Sequence, residues 1–403
     1  MSTINRTTVS DLRGAARLAV DATLGITTLV EKMHHTIQLV HPPLGASRAE
    51  STRGLTGFIY RSIRGTTRVI GKGLDSGLVP VAALLPEGAP TEARNAWVSA
   101  INGVYGDHLE RTANPLAIEM SFLHGGDFVD PERPGDVVQD ASGKVLLAIH
   151  GLCLNEQHWV REGHHRIAEA ADATGHTLVQ LRYNSGRSID ANGRNLAAML
   201  EALLERWPVP VTQLAMVGHS MGGLVARSAI HHGAAAGHSW RARLRKLFSL
   251  GTPHHGAPLE RGGQGIDLLL AASPYTAAFT RLSRMRSAGI TDLRHGTVRA
   301  EDRQGQARFD HHVDARTPLP LPANVPCFTI AGSLSKAAPR GARLPRGDGL
   351  VPVASALGRH PDPRMHLDIP ISRERIALGT GHLDLLSSTL VYRQLREWLR
   401  EAR

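Results

Sequence analysis

From Leu214 to Val217 the chain is apolar, from Gly218 to Gly223 it reads Gly-His-Ser-Met-Gly-Gly, and from Leu224 to Ile230 it takes on helical character. No other stretch constrains the fold as tightly. The pattern predicts a strand that runs into a sharp turn and leaves it as a helix, with Ser220 at the tip. Glycines at 218 and 222 flank the serine because backbone passes so close to such a turn that a Cβ would clash.

The surroundings of that turn predict what it is embedded in. Val145 to Ile149, Leu178 to Leu181, Leu214 to Val217, Lys246 to Leu250, Cys327 to Ala331 and Arg375 to Leu378 read as short buried strands. Helical stretches at Glu162 to Ala173, Leu196 to Trp207 and after Ser220 separate the first of them. Alternation of this kind implies an α/β fold with a mostly parallel sheet covered by helices on both faces. The excursion from about 257 to 325 is too long for a connecting loop and is expected to form a cap or lid, with Tyr275, Phe279, Leu282, Met285 and Ile290 supplying apolar side chains.

Ahead of this lies a different composition. Residues from about 10 to 40 and from Thr91 to Val104 read as helices, and the Gly/Asp/Pro-rich run from Gly125 to Gly143 reads as a linker or edge hairpin, so the chain is divided into a helical N-terminal extension, 1–140, and a catalytic part, 141–403. Within 51–72, Arg61, Arg64, Arg68 and Lys72 fall within roughly 80° of one another on a helical wheel, opposite Phe58, Ile59, Ile63, Val69 and Ile70. Such a segment either packs on its own protein or makes peripheral contact with a membrane surface. The net charge of +10 favours anionic partners. Nucleic acid is not expected among them, because aromatics make up only 4% of the chain and no basic stripe is interleaved with them. Two cysteines, Cys153 and Cys327, make no disulfide framework and read as core residues. With no secretory h-region and no apolar run of about 18 residues, the expectation is a cytoplasmic protein, membrane-associated if 51–72 docks on lipid.

A serine held on such a turn needs a base, an acid that orients the base, and N–H donors for an oxyanion. His150-Gly151-Leu152 follows the first core strand, so the backbone N–H groups of Leu152 and Met221 are the candidate donors. Asp348, in Arg346-Gly347-Asp348-Gly349-Leu350-Val351, is the candidate acid, with Asp362 and Asp368 as rivals. His382, in Gly381-His382-Leu383-Asp384 after the last strand, is the candidate base, chosen over His311, His360 and His366 because the order Ser, Asp, His suits this architecture. His254 and His255 are adjacent and read as structural rather than as a metal pair, and neither zinc-type Cys/His spacing nor a phosphate-binding loop is present.

Together His150-Gly151, Gly218 to Gly223, Gly251-Thr252-Pro253-His254-His255-Gly256, Asp348-Gly349-Leu350-Val351 and His382-Leu383-Asp384 resemble the α/β-hydrolase superfamily, and within it bacterial lipases and the serine hydrolases that include GPI inositol deacylase-type enzymes. The resemblance covers about 145 to 400. It implies an α/β-hydrolase fold, Ser220 as nucleophile, and hydrolysis of carboxylic esters of acyl-lipid type through an acyl-enzyme. Secreted lipases of this group hold calcium partly through the position of Asp384, but their glutamine four residues on is Ser388 here and no partner Asp is apparent. No metal and no cofactor is expected. Acyl transfer or thioester cleavage would use the same triad, and a lipid-binding protein without turnover is the non-catalytic alternative.

Overall fold

The structure is a computed structural model. It describes residues 10–11, 13–24, 27–28, 61–73, 92–257, 287–303, 316–338 and 344–401. Two compact units emerge, one of Met1–Thr91 with Leu109–Ala117, the other of Glu92–His108 with Ile118–Arg403. In the first, residues 13–24 and 61–73 are helical and meet where a Cβ on Gly71 would lie 2.8 Å from Val20 Cγ2. Of the basic segment 51–72, residues 51–60 lie outside the described residues. On the remainder Arg61, Arg68 and Lys72 are exposed, but so are Ile63, Val69 and Ile70, which amphipathic spacing would turn inward.

The second unit is built on an eight-stranded sheet in the order β2-β1-β4-β3-β5-β6-β7-β8. Its strands are β1 Ser121–His124, β2 Asp127–Val129, β3 Lys144–Ile149, β4 Thr177–Arg182, β5 Gln213–His219, β6 Leu244–Leu250, β7 Cys327–Ser333 and β8 Glu374–Leu378. From β4 through β8 the pairing is parallel, while β1 pairs antiparallel with both β2 and β4. Among the described residues, the helices of this unit are α1 Glu92–Arg111, α2 Arg166–Asp172, α3 Ile189–Glu205, α4 Met221–Ala235, α5 Ala288–His295, α6 Val353–Ala356 and α7 Thr389–Arg400. This is the α/β-hydrolase arrangement: a mostly parallel sheet with helices on both faces and a serine at the β5–α4 turn.

The core shows why these strands read as continuous apolar runs. On one face Leu146, Ala148, Val217, Phe248 and Phe328 pack against α2 and α7, and Trp398 of α7 lies 4.9 Å from the Phe328 ring. Each such large side chain removed from water contributes roughly 1.5–3 kcal/mol. On the other face α3 packs against α4, with Gly193 of α3 set against the backbone of Ser228. Both cysteines are buried free thiols, as core residues would be.

Three boundaries differ from the sequence reading. β1 and β2 form the edge hairpin anticipated near 125, yet they belong to the sheet, which therefore begins ahead of residue 140, and α1 lies largely in the same unit as the sheet. α2 starts at Arg166 rather than Glu162, because Glu162 (φ 53°) and Gly163 (φ 76°) make a left-handed turn first. α3 starts at Ile189, capped by Ser188 Oγ on the Ala191 N–H at 3.1 Å; its first turns carry Asp190, Asn192 and Gly193, which hid it from an apolar count. Of the excursion, residues 258–286 and 304–315 fall outside the described residues, and with them Tyr275, Phe279, Leu282 and Met285, whereas Ile290 is buried on α5.

Candidate active site

The β5–α4 turn is as tight as its glycines require. Ser220 sits at φ 53°, ψ −124°, a left-handed backbone costly for a residue with a Cβ. A Cβ on Gly218 would come 2.5 Å from Gly223 Cα, and one on Gly222 2.6 Å from the His150 carbonyl oxygen. The Ser220 N–H donates to Leu250 O at 2.8 Å, which ties the turn to the end of β6. Met221 is the first residue of α4, so its N–H is among the first-turn donors that a helix leaves without an internal acceptor.

Asp348 and His382 meet as a buried pair. His382 Nδ1 donates to Asp348 Oδ2 at 2.7 Å, and the His382 backbone N–H donates to Asp348 O at 3.0 Å. The other carboxylate oxygen, Oδ1, accepts the N–H groups of Leu350 (3.0 Å) and Val351 (2.8 Å), which locks its direction. Glycines at the ends of β6 and β7 make room: a Cβ on Gly251 would lie 3.3 Å from both Asp348 Oδ2 and His382 Cε1, and one on Gly332 2.8 Å from Asp348 Cβ. Since the Nδ1 proton goes to the carboxylate, His382 Nε2 is left as a lone pair. That nitrogen is buried and has no hydrogen-bond partner among the described residues.

No hydrogen bond joins Ser220 Oγ to His382 Nε2; the serine and the pair are connected through their neighbours. Ser220 N–H is anchored on Leu250, and the next residue, Gly251, borders both members of the pair. His219, immediately before the serine, donates from Nε2 to His382 O at 3.0 Å, with ring centroids 4.8 Å apart. Burial, then the His382 ring, holds the His219 pKa well below the ordinary value, so it serves as a neutral donor.

The loop after β3 approaches from the other side. A Cβ on Gly151 would lie 3.0 Å from Ser220 Cβ, which places Gly151 beside the serine, with the fully buried Leu152 next in the chain. His150 stacks on Tyr183 at 4.3 Å, and the Tyr183 hydroxyl donates to His150 O at 2.8 Å. Further along, Glu156 forms a two-pronged ion pair with Arg182, one contact at 2.8 Å. Burial pushes the Glu156 carboxyl up, but Arg182 outweighs that and holds it below its usual value.

Sequence reasoning missed what holds this loop. Cys153, next to Leu152, has φ 62° and donates its N–H to Ser185 Oγ at 3.0 Å. It is pressed against α1, where a Cβ on Gly103 would stand 2.8 Å from Cys153 Cα and 2.9 Å from its nitrogen. One turn on, Gly106 admits Asn184, whose Nδ2 donates to Gly106 O at 2.9 Å. Ser287, at the start of α5, donates to Gly103 O at 2.7 Å. Helical glycines in a stretch read as an extension were the available signal.

The rival residues lie elsewhere. Asp362 is bound to Arg364, Asp368 is exposed at φ 47°, and His366 Nε2 donates to His360 O. His311 lies outside the described residues. At the lipase calcium position, Asp384 Oδ2 accepts the Gly381 N–H at 3.1 Å and Ser388 Oγ caps α7 on Val391.

Comparisons with known proteins give the following. A family model described as the PGAP1-like alpha/beta domain matches residues 180–314, a stretch that contains Ser220 but stops short of Asp348 and His382. Among solved structures, the chain is similar to the mature lipase BlEst2 of Bacillus licheniformis (19% identity, 70% of this chain and 98% of that one, TM-score 0.42). It is also similar to the esterase Pf2001 of Pyrococcus furiosus (15% identity, 64% and 82%, TM-score 0.38) and to a putative aryl esterase of Burkholderia cenocepacia (15% identity, 70% and 93%, TM-score 0.33). No curated protein matches the sequence.

Proposed function

We propose that this α/β-hydrolase-fold protein is a serine hydrolase that cleaves carboxylic esters, of the lipase or esterase type. The observation that carries the reading is the buried Asp348–His382 pair, with its unpartnered Nε2, beside a serine held on a strained turn. His382 Nε2 takes the proton as Ser220 Oγ attacks the acyl carbon, and Asp348 stabilises the imidazolium that forms. The N–H groups of Leu152 and Met221 hold the oxyanion of the tetrahedral intermediate. Collapse breaks the bond to the alcohol oxygen, which leaves with the proton from His382; water, deprotonated by the same nitrogen, then attacks the acyl-enzyme and releases the acid and Ser220. An alcohol in place of water would give acyl transfer by the same steps.

Labelling tests this directly. A fluorophosphonate should modify the purified protein at Ser220, because an activated hydroxyl attacks phosphorus as it does an acyl carbon. Ser220→Ala should lose both the label and the hydrolysis of p-nitrophenyl esters, and turnover that survives the substitution would overturn the mechanism. The same esters over a series of chain lengths, with and without added alcohol, identify the acyl preference and separate hydrolysis from transfer.

A further inference from the structure

Two turns along α4 from Ser220, the side chain of Arg227 is buried, at 6% exposure. Its Nη2 donates to Leu319 O at 2.7 Å and its Nη1 faces His254 Nδ1 at 3.4 Å, but Nε has no hydrogen-bond partner among the described residues. No described carboxylate balances the guanidinium. Burial, then the neighbouring Arg316 guanidinium, lowers its pKa to about 10, which still leaves it charged at neutral pH. A buried cation without a counter-charge is costly, and chains usually pair it or give it an anion.

His254 adds a second donor. It is 1% exposed, and burial, with Arg227 next, holds its pKa well below the ordinary value, so the ring is neutral. Its Nδ1 faces an arginine N–H and therefore presents a lone pair, which puts the ring proton on Nε2. That N–H is also buried and without an acceptor among the described residues.

Arg227 and His254 both line one cavity, open to solvent at its mouth, whose wall also holds Arg316, Asp302, Thr317 and Met365. Arg316 donates to Gly296 O at 2.8 Å and faces His255 Nδ1 at 3.5 Å. The Asp302 carboxylate is already engaged, by Arg299 Nε (3.2 Å) and Nη2 (2.9 Å) and by the Thr317 N–H (3.0 Å). Among the described residues, Arg227 Nε and His254 Nε2 are thus left as donors without acceptors on residues that line the cavity.

We propose that this cavity binds a small oxyanion, the phosphate or carboxylate group of a free ion or metabolite, through Arg227 and the Nε2–H of His254. The site is separate from Ser220 and does not depend on the reaction proposed for it. Occupancy supplies the missing acceptors and ties the segments around Gly296, Leu319 and Met365 to the elbow helix.

The test is a titration of the full-length protein with sodium phosphate, sodium acetate or sodium chloride at one ionic strength and neutral pH, read as the thermal midpoint and by calorimetry. Phosphate or acetate should give a saturable rise that chloride does not reproduce, and the more effective of the two identifies the anion. Arg227→Met should weaken binding roughly tenfold or more, as expected for loss of a charge-assisted donor. Because Arg227→Met also removes the anchor on Leu319, Thr317→Trp serves beside it: Thr317 is exposed at the rim, and an indole there should block the cavity in a folded protein. Equal, unsaturated responses to all three salts would overturn the proposal and leave Arg227 as a staple between loops. Saturable binding unchanged in Thr317→Trp would overturn it too, by placing the anion elsewhere.

Discussion

His382 and His254 are both buried, and in both Nε2 has no hydrogen-bond partner among the described residues, yet the two rings are opposite tautomers. His382 turns Nδ1 to the carboxylate of Asp348, so its Nε2 is a lone pair that can take a proton. His254 turns Nδ1 to the guanidinium of Arg227, so its Nε2 carries a proton that it can only donate. One arrangement suits the base of the proposed hydrolysis, the other the proposed seat for an anion. A buried histidine's chemistry is set by the charge of the group behind it, not by its own depth in the protein.

The strongest way to break this comparison is to change the group behind His382. Asp348→Asn should keep the ring in place but offer an N–H to Nδ1, reversing the tautomer and converting Nε2 into a donor. In the serine-protease template that exchange costs about 10⁴ in kcat, and a loss of that order with KM little changed is expected for p-nitrophenyl ester hydrolysis here. Activity within tenfold of the parent would mean that Asp348 does not orient the base.

A smaller effect is expected from the seat of the loop that carries Leu152. Gly103→Ala should improve helix propensity by up to about 1 kcal/mol, but the new methyl meets backbone atoms of Cys153 at 2.8 and 2.9 Å, and overpacking of that kind costs roughly 1–3 kcal/mol. If the loop yields, Leu152 moves with it, and a shift near 1 Å can cost about a hundredfold in rate. Steady-state kinetics and urea unfolding of the same variant read both. A stabilised, fully active Gly103→Ala would show that α1 does not support the site.

The mildest test is pH, applied to histidines that neither donate to an anion nor accept from a serine. Burial lowers His150 and His255 to about 4, against about 6.5 in the unfolded chain. Between those values the unfolded chain binds protons that the native one refuses, so stability should fall as pH drops from about 6.5 to about 4 and level off once the native rings protonate. Urea midpoints across that window measure it, and His150→Phe, which keeps a ring against Tyr183, should flatten part of the slope. An unchanged slope would place the proton uptake on other residues.

Much of this was legible in the chain because it depends on neighbours in sequence. The buried strands declare themselves as apolar runs, and the Ser220 turn as a glycine pattern, since both the strain and the close approach arise within a few residues. Asp348 and His382 could be picked by their places after successive strands. The role of α1 could not, because Gly103 acquires its meaning from Cys153, fifty positions on in another element. The apolar reading of 61–73 likewise failed to predict that Val69 and Ile70 would be exposed.

The sequence by itself determined where a serine would be lifted from the sheet and which strands would carry its partners, because local sterics and hydrophobic periodicity act over short separations. Which of 22 histidines turns Nδ1 to a carboxylate and which to a guanidinium was decided only by the tertiary structure. The proton on an imidazole follows the charge it touches, and those contacts come from residues 34 positions away for His382 and 27 for His254, set down beside the ring by the packing of the sheet and its helices.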